Sequence, residues 1–192
     1  PNKGNNATAA DGKTVVSFNI TPTTKKQYTI GLDNSDSKWE HSITDQDGKE
    51  LKYTFIGIVV DAGDGTTTGG DDNPGDDNPG TDTPVSGYTL QLVNANGSTT
   101  YKNGKNYTAV KVGEETTLNM IVNNDPGTAG IQLMLDFAGL DAEMVKGDAY
   151  KSNPTWNPDE GILAFTPNKG NNATAADGKT VVSFNVTLPA AK

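Results

Sequence analysis

Ile131-Gln132-Leu133-Met134-Leu135-Asp136-Phe137 decides the fold class. Apolar and polar residues alternate with the period of two that a pleated strand imposes on its side chains. Ile131, Leu133, Leu135 and Phe137 are therefore expected to face a core. Gln132, Met134 and Asp136 are expected to face outward. Working away from this stretch, Thr116–Val122 alternates in the same way, with Leu118, Met120 and Val122 on one side. Further strand signals fall at Tyr88–Val93, Gly161–Thr166, Thr180–Leu188, Gln27–Leu32, Trp39–Ile43 and Leu51–Val60. Asn/Asp/Gly/Pro turns punctuate them at 45–48, 94–97, 123–127, 157–161 and 177–178. Short strands with regular turns predict an all-β, antiparallel sandwich. The single helical hint is Ala138–Val145, one or two turns long.

The order of the pieces is unusual. Residues 1–20 read PNKGNNATAADGKTVVSFNI and residues 167–186 read PNKGNNATAADGKTVVSFNV, so only Ile20 and Val186 differ. The offset of 166 residues is far beyond a solenoid repeat and matches one module plus a spacer. The spacer is residues 63–86, GDGTTTGGDDNPGDDNPGTDTPVS, in which DDNPG occurs twice. Its Gly, Pro, Thr and Asp bury too little apolar surface to offset chain entropy, and its like charges favour extension. The organisation read from this is residues 1–62 as the back half of one module, 63–86 as linker, and 87–192 as the front half of the next. Joining 87–192 to about 21–62 restores an ordinary domain length.

Composition narrows function. The chain has 192 residues and a formal charge of −9, which repels phosphate backbones and argues against nucleic acid. No run approaches the roughly 20 apolar residues of a membrane-spanning helix. Cysteine is absent and histidine occurs once, as His41, so thiol chemistry and Cys- or His-rich metal sites are not expected. Asp45-Gln-Asp-Gly48 and the stretches 61–65 and 71–75 carry too few ligands for a calcium loop and read as solvated turns. Asp136, Asp141, Glu143, Asp159 and Glu160 are candidates for paired-carboxylate glycoside chemistry but show no framework for it. The Asn-x-Ser/Thr triplets at Asn6, Asn19, Asn96, Asn106, Asn172 and Asn185 reflect an Asn/Thr-rich composition. No catalytic residues, cofactor or metal are expected on this chain.

A more informative pattern is the outward side of the 131–137 strand. Met134, with Ile162 and Ala164 if Leu163 and Phe165 point inward, makes an apolar spot rimmed by Gln132, Asp136, Thr166 and Asn168. Several such residues on one sheet form a docking patch.

The rejoined module resembles a cohesin, the receptor domain of cellulosomal scaffoldins. The likeness is carried by Val110-Lys-Val-Gly-Glu-Glu-Thr-Thr-Leu118, by Gly127-Thr-Ala-Gly-Ile-Gln-Leu-Met-Leu-Asp-Phe137 with Leu140-Asp-Ala-Glu-Met-Val145, by Gly161–Thr166, and by the Gly-Lys-Thr-Val-Val-Ser-Phe-Asn-Val strand. Phe137-Ala-Gly stands where the family pattern has Tyr-Asp-Pro. The resemblance implies a nine-stranded jelly-roll sandwich, secreted and extracellular, that binds the dockerin domain of an enzyme or another scaffoldin, with calcium on the dockerin. By position it implies contacts at Gly130, Gln132, Met134 and Asp136, at Ile162, Ala164, Thr166 and Asn168, at Trp156 as an anchor if exposed, and near Asp33–Trp39. A carbohydrate-binding module and a structural cell-surface repeat are the alternatives. Self-closure of the two halves is expected over exchange of halves between chains, and the two copies of the duplicated strand compete for one slot.

Overall fold

The computed structural model describes residues 13–36, 40–65, 87–150, 154–165 and 175–184. They carry fourteen strands: β1 (Lys13–Ile20), β2 (Lys26–Leu32), β3 (Ser42–Asp45), β4 (Thr54–Ile56), β5 (Ile58–Gly63), β6 (Thr89–Asn94), β7 (Thr100–Lys102), β8 (Lys105–Lys111), β9 (Thr116–Asn123), β10 (Thr128–Asp136), β11 (Glu143–Tyr150), β12 (Thr155–Asn157), β13 (Ile162–Phe165) and β14 (Ala175–Phe184). The protein is an all-β sandwich of two packed sheets. One has six strands in the order β14, β11, β1, β9, β6, β4, so that β11 pairs with both β14 and β1. The other runs β12, β13, β10, β2, β5, β8, β7, and β3 joins it through β10.

Both sheets draw strands from both sides of the acidic linker. β1 lies between β9 and β11, β2 pairs with β10, and β5 pairs with β8. One core results. Phe18, Ile30, Ile58, Leu90, Leu92, Leu118, Met120, Ile131 and Leu133 are all essentially inaccessible to solvent. Each such side chain contributes about 2 kcal/mol of transfer free energy, and the set draws on both sides of the linker.

The strand periodicity is realised on β10, where Ile131, Leu133 and Leu135 are buried while Gln132 and Asp136 are exposed. Two expectations are corrected. The sheets are mixed, because β4 pairs parallel to β6 and β5 parallel to β8. Parallel neighbours need a long crossover, and each of these pairs is separated in sequence by the linker. The helical hint at Ala138–Val145 is a turn followed by strand β11. Ala138 (φ 55°) and Gly139 (φ 80°) are both left-handed, which a helix does not tolerate. Asp136 fixes the bend by accepting a 2.7 Å bond from the Ala138 N–H, and Leu140 N–H closes it onto the Phe137 carbonyl. The described residues divide into fourteen strands, because several sequence runs are broken into shorter pieces. The Leu51–Val60 run, for example, splits at Gly57 into strands of opposite sheets. A Cβ there would lie 2.4 Å from the Ile30 carbonyl oxygen, so only glycine permits the crossing.

Candidate docking face

β10 is the central strand of the outward surface. On one side it pairs with β13, setting Gln132 opposite Ala164 and Met134 opposite Ile162. β12 extends the sheet, with Thr155 opposite Ala164 and Asn157 opposite Ile162. On its other side β10 pairs first with β3, placing Ser42 opposite Gln132, and then with β2, placing Gly31 opposite Asp136. Cross-strand neighbours share a face. Met134, Ile162 and Ala164 are therefore a half-exposed apolar group, with Gln132, Asp136, Thr155 and Asn157 exposed around them. Their sequence neighbours Leu133, Leu163 and Phe165 are buried on the opposite side.

The change of partner from β3 to β2 leaves a gap in the ladder, and His41 fills it. Its Nδ1 accepts from the Met134 backbone N–H at 3.2 Å, and its Nε2–H donates to the Asp33 carbonyl at 2.9 Å. One nitrogen accepts and the other donates, which defines the neutral Nε2–H tautomer. Gln132 is tied to the same approach through a 3.3 Å bond from its amide to the Glu40 carbonyl. The sequence marks His41 only as the single histidine. Its role depends on a register change between distant strands, which has no local signal.

Beside the face lies an open groove of about 990 Å³. Asp33, Asp136, Asp141, Glu143, Asp159 and Glu160 line it, so all five paired-carboxylate candidates meet at one end of the face. Hydrogen bonds from Ser35, through its hydroxyl and then its backbone N–H, hold the exposed Asp33 carboxyl below its usual range. Asn157 donates to Glu160 at 2.7 Å. Among the described residues, no group of three or more His, Cys, Asp or Glu is arranged to hold a metal ion. Asp45 uses its carboxylate to close its own turn, accepting from the N–H groups of Asp47 and Lys49 at 2.9 Å each.

Two expected contact residues are placed otherwise. Trp156 is not an exposed anchor. It sits opposite Leu163 on the inward side, edge-on to Phe18 and Phe137 at 5.9 and 5.7 Å, and donates its Nε1–H to the Ala142 carbonyl at 3.0 Å. Strand alternation requires this, because Thr155 and Asn157 take the outward positions. Gly130 shares the parity of Gln132 but is buried, and a register shift separates it from Thr128. Thr166, Asn168 and Trp39 lie outside the described residues.

At the other end of β10 the sequence signalled only a turn, and the structure holds a buried polar network there. Asp125 is 3% exposed. Its Oδ1 accepts from Gly127 N–H, Thr128 N–H and the Thr128 hydroxyl at 2.8–2.9 Å. Its Oδ2 accepts from the Tyr150 hydroxyl at 3.1 Å, and the Tyr88 hydroxyl lies 2.5 Å from that of Thr128.

Comparison with protein-family models, with curated proteins and with solved structures finds no match to this chain.

Proposed function

We propose that this protein is a non-catalytic docking module that resembles a cohesin and captures a dockerin on the outer face of β10 and β13. The observation that carries the proposal is the Met134–Ile162–Ala164 group on a register-locked sheet, ringed by exposed polar residues. An apolar centre excludes water and a polar rim sets orientation, the usual anatomy of a specific interface. A preformed sheet loses little freedom on binding, which favours affinity. A partner covering about 800 Å² of this face would match common specific complexes. The carboxylate groove at one end favours a partner with basic residues there. Extracellular placement, a jelly-roll topology and descent from tandem scaffoldin modules belong to the same proposal. Among the described residues, the inward Trp156 weakens the carbohydrate-binding alternative, which needs an outward aromatic row.

The test is capture of calcium-loaded dockerins by the chain and by its Met134→Asp variant. The variant is expected to lose capture at least a hundredfold while its unfolding curve stays unchanged, because the side chain is outside the core. Removal of calcium with EDTA is expected to abolish capture by the unaltered chain. Capture by Met134→Asp at full strength would refute the face.

A further inference from the structure

The duplicated segment points to a second property, independent of what the outer face binds. β1 is Lys-Thr-Val-Val-Ser-Phe-Asn-Ile, and residues 179–186 repeat it with Val for Ile. β1 lies between β9 and β11, setting Val16 opposite Lys146, Ser17 opposite Val145 and Phe18 opposite Met144. β14 addresses β11 in the same register, with Val182 opposite Lys146, Ser183 opposite Val145 and Phe184 opposite Met144. Its backbone also approaches β1 and β9. A one-residue slip would turn every side chain to the other face, so the identical register gives both copies the same facing against β11.

The groove itself explains the selectivity. On the β9 side, Ser17 bonds Asn119 and Asn19 bonds Thr117, both through side chains. Ser183 and Asn185 stand at the matching positions of the second copy's sequence. On the inner side, Phe18 packs on Phe137 at 4.6 Å. Residues 166–174 connect β13 to β14 and can reach about 30 Å when extended, several strand widths.

We infer that the groove between β9 and β11 is a strand-acceptor site whose ligand is the Lys-Thr-Val-Val-Ser-Phe-Asn segment, and that β1 and β14 are its interchangeable occupants. Each occupancy completes the same sandwich with a different threading of the chain. With β1 seated, the C-terminal copy is released. With β14 seated, residues 1–20 are released and β2 stays in place.

Proline removes a ladder donor and cannot occupy the middle of a central strand, so it disables one copy at a time. In the full chain, Val16→Pro and Val182→Pro are each expected to keep a cooperative unfolding transition, and the double variant is expected to lose it. Limited proteolysis read by mass spectrometry should cut Val16→Pro within residues 1–20 and Val182→Pro within residues 167–192. Unfolding of Val16→Pro alone overturns the inference, because β14 then does not substitute. A folded double variant overturns it too, because the groove then needs neither strand. Protection of residues 1–20 in folded Val16→Pro has the same force.

Discussion

The two ends of β10 treat carboxylates in opposite ways. At its start, Asp125 is buried and every oxygen is occupied by a donor from the same chain. At its finish, Asp136 is exposed and joins five other acids around an open groove. Removing a charge from water is costly unless hydrogen bonds replace the lost hydration, so the first arrangement belongs to folding. The second leaves its charges in solvent, where beyond local turn bonds such as that of Asp136 to the Ala138 N–H they contribute little to stability and stay accessible. Charge alone does not separate an acid enclosed by the fold from one left in solvent; the supply of internal donors does.

The contrast can be broken most forcefully at Asp125. Asp125→Ala strands the Thr128 and Gly127 N–H groups and the Tyr150 hydroxyl, and is expected to cost about 3 kcal/mol in urea unfolding. Asp125→Asn keeps one accepting oxygen and is expected to lose less. A change indistinguishable from zero for the alanine variant would erase the distinction between the two ends.

The same network sharpens the comparison at alkaline pH. Burial pushes the Tyr150 phenol well above its ordinary value of 10.0, with the charges of Tyr88 and Asp125 adding to it. Tyr88 is also raised, first by burial and then by Asp125, with its Thr128 bond opposing. The folded chain thus retains protons that the unfolded chain releases near pH 10. This stabilisation is complete below the unfolded value and declines as pH climbs past it. Absorbance titration of phenolate should find these two tyrosines ionising only as the fold is lost. Ordinary titration of both in folded protein would contradict the network.

The smallest effect is expected at the groove end, where His41→Ala leaves the Met134 N–H and the Asp33 carbonyl to nearby water. A loss of about 1 kcal/mol is anticipated. Amide exchange at Met134 should quicken while that at Leu133 does not. Equal protection in the variant would show that the imidazole is not the bridge.

How much of this was legible beforehand follows from the range of the signals. The inside and outside of β10 and β13 could be read from alternation, because parity is local. The polar ring at Gln132 and Asp136 came with it. β11 was obscured because Glu143-Met-Val-Lys-Gly-Asp-Ala-Tyr150 interrupts its alternation with Lys, Gly and Asp. The β7–β8 hairpin was missed because Thr100-Tyr-Lys-Asn-Gly-Lys105 is polar throughout. Asp125 and His41 acquire partners from strands far away in sequence, so no window around either residue contains the reason for its placement. Trp156 shows the opposite failure: a large aromatic invites an anchoring role, yet its neighbours' parity already turned it inward.

The segregation of β10 and β13 into inward and outward sets has an evolutionary corollary. Gln132, Met134, Ile162 and Ala164 can change chemistry without disturbing Leu133, Leu163 or Phe165, whereas Gly161 cannot accept even a methyl group 2.2 Å from the Leu135 carbonyl oxygen. Drift at the surface is thereby uncoupled from scaffold integrity. A library that randomises those four positions and holds Gly161 constant should yield many folded members with altered recognition.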